Sequence, residues 1–278
     1  MMTTSDVGRS ERASMLTIGR RPLAVRVRPG AGTGPPLVLM NGIGATMDVL
    51  DPFVDALDPA IEVVRFDAPG VGASPAPTVP QRYCSIARLL GAALDRLDYG
   101  RVDVLGISWG GGLAQQFAFQ NPRRCRRLVL AATATGSLMV PGSPTVLAKM
   151  VTPRRHTDPD YARRIAGSLY GGSLRADTGP VPLNKSVDAI GRRSSRRGYA
   201  YQLLSAAGWT SLPFLPLIRQ RTLILAGADD PIVPLVNAKI MARLLPDVRL
   251  EVNPDGHLGL IVRAEQLGDS VARFLGQP

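Results

Sequence analysis

The sequence predicts an α/β protein: an eight-stranded, mainly parallel sheet flanked by helices. Three features predict it. Short runs such as Leu37-Val38-Leu39-Met40 are apolar throughout, as strands covered on both faces require. Stretches with helical spacing of apolar residues separate those runs. Glycine-rich turns follow several of the runs, all at what becomes one edge of the sheet.

In chain order, residues 15–18 and 23–27 read as two short strands around Gly19-Arg20-Arg21-Pro22, an antiparallel start. A proline- and glycine-rich loop over 29–36 leads into the strand 37–40, which runs straight into Asn41-Gly42-Ile43-Gly44. Residues 48–57 are expected to be helical and closed by Asp58-Pro59. The strand 61–66 follows and ends in Asp67-Ala68-Pro69-Gly70-Val71-Gly72-Ala73-Ser74. Residues 83–98 place Ile86, Leu89, Leu90, Ala93, Leu94 and Leu97 on one helical face. A strand over 102–105 precedes Gly106-Ile107-Ser108-Trp109-Gly110, and a helix over 109–120 is stopped at Asn121-Pro122. Residues 128–132 give one more core strand.

From about residue 141 to 216 the alternation breaks. This stretch holds prolines, Gly171-Gly172, basic clusters and the aromatic residues Tyr161, Tyr170, Tyr199, Tyr201, Trp209 and Phe214. It is too long for a structureless loop in a compact domain, so a mostly helical cap over the sheet edge is expected. The aromatics either line an acyl or polymer site or pack cap against core. The alternation resumes with a strand over 222–227, a helix over 234–245, a strand over 248–252 and a helix over 264–275. The expected organisation is a mobile tail over 1–14, a core over 15–140 and 217–278, and an inserted cap over 141–216.

Composition excludes several functions. Hydrophobic residues make up 45% and charged residues 20% of the 278, as in soluble globular proteins. No apolar run approaches the roughly 18 to 20 residues that cross a bilayer. The first residues lack the apolar core of a signal peptide, so a cytoplasmic location is expected. Cys84 and Cys125 are too few for a disulfide framework and have no metal-ligand spacing, so they read as packing residues. The net charge of +11 comes mostly from scattered arginine, including Arg123, Arg124, Arg126 and Arg127, then Arg192, Arg193, Arg196 and Arg197. Without interleaved aromatics for base stacking, this is a solvated basic surface and not a nucleic-acid site.

The chemistry gathers at the glycine turns. Gly106-Ile107-Ser108-Trp109-Gly110 has the G-x-S-x-G form, in which a strand turns so sharply into a helix that the serine is strained and its hydroxyl exposed. A serine hydroxyl needs a base, and a histidine base needs an orienting carboxylate. His156 sits in the expected cap beside Arg154 and Arg155 and reads as a surface residue. His257 follows the last strand, in Asn253-Pro254-Asp255-Gly256-His257, on the same edge as Ser108. The acid is expected after the strand 222–227. Asp230 is favoured there because Pro231 forces the chain to be extended, and Asp229 reads as a turn or hydrogen-bonding residue. Asp255 is read as stabilising its own turn. Residues Ala131-Ala132-Thr133 offer no competing acid.

The order Ser108, Asp230, His257 resembles that of the α/β-hydrolase superfamily. More closely, the chain resembles the intracellular medium-chain-length poly(3-hydroxyalkanoate) depolymerases. That resemblance is carried by Asn41-Gly42-Ile43-Gly44-Ala45, by Asp67-Ala68-Pro69-Gly70-Val71-Gly72, by Gly106 through Gly111, and by Asp229-Asp230-Pro231 and Asp255-Gly256-His257-Leu258. Within the cap it is carried by Met139-Val140-Pro141-Gly142, Tyr170-Gly171-Gly172 and Gly208-Trp209-Thr210-Ser211. The chain departs from those relatives around 178–191 and after Leu275.

The resemblance implies Ser108 as nucleophile, Asp230 as orienting acid and His257 as base, with the backbone N–H groups of Ile43 and Trp109 as the oxyanion hole. Asn41 stands where many superfamily members have histidine. Met139, Tyr170 and Trp209 become candidates for substrate contact. The implied activity is serine-dependent hydrolysis of a polyester to 3-hydroxy acids, with no metal or organic cofactor and with the polymer granule surface as a candidate partner. Small-ester hydrolysis, carbon–carbon bond hydrolysis with the same triad, cofactor-free peroxidase chemistry and non-catalytic granule binding are the alternatives.

Overall fold

The structure, a computed structural model, describes residues 11–152, 158–175 and 195–277. The expectations placed on His156 and its neighbours Arg154 and Arg155, on Arg192 and Arg193, on 178–191 and on most of the tail lie outside those residues.

Eight strands form one sheet: β1 (Arg12–Ile18), β2 (Arg21–Arg28), β3 (Leu37–Met40), β4 (Val63–Phe66), β5 (Val102–Ile107), β6 (Cys125–Ala131), β7 (Arg221–Gly227) and β8 (Val248–Asn253). Their spatial order is β1-β2-β4-β3-β5-β6-β7-β8. Strands β1 and β2 join antiparallel, and the six from β4 to β8 run parallel. Strand β1 starts at Arg12, inside the stretch expected as tail, and pairs in register from Arg12 opposite Val27 to Ile18 opposite Arg21. Its side chains are mostly exposed, so it lacks the apolar signature by which the central strands are recognised.

Successive residues of a strand point to opposite faces, and the sheet therefore carries two cores. Val38, Met40, Val104, Leu128, Leu130 and Ile224 pack on one face with Leu90, Leu94, Leu113 and Phe117 from α2 (Tyr83–Arg96) and α3 (Trp109–Gln120). Met241 of α7 (Val236–Leu244) joins them. Leu37, Leu39, Leu105, Val129 and Leu223 face the other way, onto Phe53 of α1 (Asp51–Ala56) and onto Val271 and Phe274 of α9 (Ala264–Gly276). Burying one such Leu or Phe contributes about 1.5–3 kcal/mol. A 3-10 turn over Met47–Leu50 precedes α1, because Pro52 suits only the first turn of a helix. A short α8 (Gly259–Val262), absent from the expectations, follows β8.

Three of the four arginines beside β6 are not the solvated surface expected of them; Arg123 alone is exposed. Arg126 donates to both oxygens of the buried Asp103, at 2.8 and 2.5 Å. Arg127 is itself buried, donates to the carbonyls of Leu275 and Gln277, and lies 5.7 Å from the Phe274 ring centre. Arg124 donates to Gly91 O at 2.7 Å and pairs with Asp95. They fasten strand ends to helix ends, which hid the true start of β6 at Cys125. Cys125 is free, and burial pushes its thiol pKa well up. Thiolate chemistry there is suppressed.

Between β6 and β7 the described residues hold three helices: α4 (Pro144–Val151), α5 (Pro159–Tyr170) and α6 (Arg196–Ala206). Each begins at a side-chain cap. Ser143, Asp158 and Ser195 accept hydrogen bonds from the N–H groups of Val146, Tyr161 and Gly198.

Candidate active site

Ser108 follows β5 directly and adopts φ 54°, ψ −118°, a conformation that costs a non-glycine residue about 1–3 kcal/mol. The surroundings impose it. A Cβ on Gly106 would run into the backbone of Gly110, and one on Gly110 into the carbonyl oxygens of Met40 and Asn41. One on Gly111 would collide with the Thr133 side chain. Strand, helix and neighbouring turn thus meet backbone to backbone, and no other residue type fits at these three positions. Ser108 N–H donates to Ala131 O at 3.0 Å, and Thr133 Oγ1 donates to Ser108 O at 2.7 Å.

Two further strand ends bring partners to that hydroxyl. His257 Nδ1–H donates to Asp230 Oδ2 at 2.7 Å, which leaves Nε2 as the acceptor for the Ser108 hydroxyl at 3.0 Å. Asp230 Oδ1 accepts from the N–H groups of Ile232 and Val233, both at 2.9 Å, so the carboxylate cannot rotate away. Asp230 and His257 are both buried. Of the candidate acids, Asp230 alone reaches the imidazole.

Asp229 and Asp255 have another task. The chain from Tyr170 to Arg175, at the end of α5, threads between the acid loop and the histidine loop. Tyr170 O accepts from His257 N–H at 2.7 Å. Asp229 accepts from Gly172 N–H at 2.8 Å and from Arg175 at 2.6 and 3.1 Å. Asp255 accepts from Ser173 N–H at 3.0 Å, from Gly256 N–H at 3.0 Å and from Arg263 Nε at 3.1 Å. Asp255 therefore stabilises its turn as expected, and also ties in a segment that the sequence reading missed. The sequence carried part of that signal, in Asp229 as a turn or hydrogen-bonding residue and in the Gly171-Gly172 pair, but nothing that joined the two.

The ties at Asp229 are expected to make this thread sensitive to pH. The Arg175 guanidinium, and then the Gly172 N–H, hold the Asp229 carboxyl below its ordinary value of about 3.9. A depressed carboxylate pKa contributes stability that is complete above the ordinary value and is lost as pH falls through the folded one. Hydrogen exchange at Gly172 is expected to accelerate below about pH 4 relative to exchange in β5, and Asp229→Asn is expected to remove that difference.

A cavity of about 50 Å³ opens at Ser108 and His257. Its apolar wall includes Val49, Leu50, Ile107, Met150, Ile232 and Ile261. Tyr170 and Ile43 line it, whereas Trp209 and Met139 do not. Trp209 packs edge-on to Tyr83 at 4.8 Å, and its Nε1 donates to Gln116 at 2.7 Å, so it joins the segment between β6 and β7 to α2 and α3. Met139 lies in a turn whose N–H bonds to Gly136 O. Among the described residues no group of three or more His, Cys, Asp or Glu is placed to hold a metal ion, and no helix is long and apolar enough to cross a membrane.

The α/β-hydrolase-fold family profile matches residues 35–264. The chain belongs to the α/β-hydrolase fold family. It is 46% identical to the poly(3-hydroxyalkanoate) depolymerase of Ectopseudomonas oleovorans, over 94% of this chain and 91% of that one. A hydrolase from Pseudomonas aeruginosa PA01 superposes with a TM-score of 0.81 at 26% identity, covering 98% of this chain and all of the other. The enol-lactonase of Burkholderia xenovorans LB400 superposes at 0.82 with 24% identity, covering 95% and 100%. The eight-stranded, mainly parallel sheet with its flanking helices is the α/β-hydrolase architecture. Because this family hosts many reactions on one scaffold, the reaction has to be argued from the residues around Ser108.

Proposed function

We propose that the chain is a serine ester hydrolase that cleaves poly(3-hydroxyalkanoate) to 3-hydroxy acids or short oligomers. The observation that carries the substrate is the 46% identity to a depolymerase over nearly the full length of both chains. His257 Nε2 takes the Ser108 proton as Oγ attacks an ester carbonyl. The carbonyl π electrons move onto oxygen, which the backbone N–H groups of Ile43 and Trp109 receive. Collapse of the adduct expels the alcohol end of the chain, protonated by His257, and leaves an acyl-serine. Water, deprotonated by the same nitrogen, attacks that ester and frees the acid and Ser108. Asp230 holds the imidazole in the required tautomer and stabilises its charged form.

The cavity wall supports an aliphatic acyl group. The described part of the wall is mostly apolar, as such a group requires. Contact with the polymer granule surface and a cytoplasmic location belong to the same proposal. Incubating the protein with granules of medium-chain and short-chain polymer in parallel, and following released 3-hydroxy acids, tests it. Release from medium-chain granules is expected. Release from neither, beside rapid turnover of soluble p-nitrophenyl alkanoates, would assign the chain to small esters instead.

A further inference from the structure

Helix α6 turns an unusual face to the core. Its buried residues are Gly198, Gln202 and Ser205, spaced one and two turns apart, with no large apolar side chain among them. A helix that docks by hydrophobic burial shows an apolar stripe at those positions. Here the stripe is small and polar, so its partners must be specific polar groups.

Those partners belong to the turns around Ser108. Gln202 Oε1 accepts from Gly44 N–H at 2.7 Å. Gln202 O accepts from the Trp109 indole N–H at 2.9 Å, and Ser205 Oγ stands 3.0 Å from the same indole nitrogen. Ser205 Oγ also donates to Gln202 O at 2.6 Å. Gly198 packs directly on Gly70, where a Cβ on either residue would collide with the other backbone. Gln202 is only 3% exposed, so water cannot substitute for its carbonyl. Gln202 thus ties α6 to both segments carrying the proposed oxyanion donors, with its side-chain carbonyl at Gly44 and its main-chain carbonyl at the Trp109 indole. Gly44, at φ 71°, immediately follows Ile43, and fixing its N–H fixes the peptide plane on the C-terminal side of Ile43. The rest of that turn is held internally, by Asn41 Nδ2 to Thr46 O at 2.6 Å and Ala45 N–H to Gly42 O at 3.2 Å.

We propose that Gln202 is a positioning residue for the oxyanion hole: its side-chain carbonyl anchors the turn that carries the Ile43 N–H to the helix whose main chain holds the Trp109 indole. The inference rests on the serine-hydrolase reading above. Oxyanion donors act only when aimed at the place where charge develops, so a loosened Ile43 turn lowers turnover and leaves ground-state binding nearly intact.

The test uses the full chain and p-nitrophenyl butyrate, with rates normalised to active sites titrated by a fluorophosphonate. Gln202→Met removes the acceptor and keeps the length. Gln202→Asn keeps an amide that is one methylene too short to reach Gly44. Each is expected to lower kcat about tenfold with KM within about twofold, a fraction of the full loss of an oxyanion donor. Each is also expected to raise, by a similar factor, the inhibition constant of an alkyl trifluoromethyl ketone relative to that of the corresponding alcohol. The ketone forms an oxyanion on Ser108 and the alcohol does not, so the ratio is independent of how much protein is folded. Arg197→Ala, which removes an exposed bond from the same helix to Thr78 O, is expected to leave kcat and the ratio unchanged. An unchanged ratio in both Gln202 variants overturns the inference, as does an equal rise in Arg197→Ala. Activity surviving in Ser108→Ala would instead overturn the underlying hydrolase reading.

Discussion

Ser108→Ala is expected to lower turnover of p-nitrophenyl butyrate by about 10⁵-fold while leaving the fold intact, because the nucleophile of a triad cannot be replaced by the remaining members. Alanine still has to adopt φ 54°, ψ −118°, so its stability is expected to match that of the unsubstituted chain. Ser108→Gly is equally inactive for the same chemical reason, yet it relieves the backbone. Relief of about 1–2 kcal/mol is expected, a rise in melting temperature of roughly 2–6 °C for a chain of this size. Calorimetry on the two variants separates these effects. If the glycine variant melts no higher than the alanine one, Ser108 is not strained.

Gly171→Ala is expected to be strongly damaging although Gly171 lies outside the proposed triad. Gly171 sits at φ 71°, ψ −164°, a region open essentially to glycine alone. A Cβ there would also run into the carbonyl oxygen of Asp229, next to the acid that orients His257. Either the thread from Tyr170 to Arg175 leaves its groove or the acid loop shifts. Displacement of a triad member by about 1 Å costs on the order of 100-fold in rate. A loss of stability of about 2–4 kcal/mol accompanies it. Chemical denaturation and kcat measured together on purified Gly171→Ala check both. Wild-type values in both would show that the thread does not support the acid.

The architecture could be read in the sequence where burial is two-sided. Runs such as Leu37 to Met40 and Leu128 to Ala131 have one physical explanation, and glycines that separate touching backbones mark their own turns. The grouping of Ser108, His257 and Asp230 was legible for a related reason: with His156 set aside, His257 was the remaining candidate base, and the proline after Asp230 chose between neighbouring acids. The first half of strand β1, Arg12 to Ser14, was not legible, because its exposed side chains carry no apolar pattern. Nor was the start of β6, where Arg126 and Arg127 resemble a surface run until Asp103 and the Leu275 carbonyl are seen to receive them. The cap contacts were hidden most deeply. A glutamine that accepts from a backbone N–H 158 positions earlier leaves no local pattern. Trp209 likewise gave no sign of whether it faces substrate or packs on Tyr83.

The segment between β6 and β7 has a bearing on how such proteins can diversify. It supplies the Tyr170 carbonyl to the histidine loop, Gly172 and Arg175 to the acid loop, and Gln202 to the turn at Gly44. A cap with these ties is not a detachable module. A chimaera carrying a relative's insertion would inherit foreign partners at three loops at once, and its changed selectivity could not be separated from a mis-set machine. Retuning the cavity at Ser108 is better attempted one wall residue at a time, at Met150 or Ile232, whose apolar side chains line it and make none of those bonds.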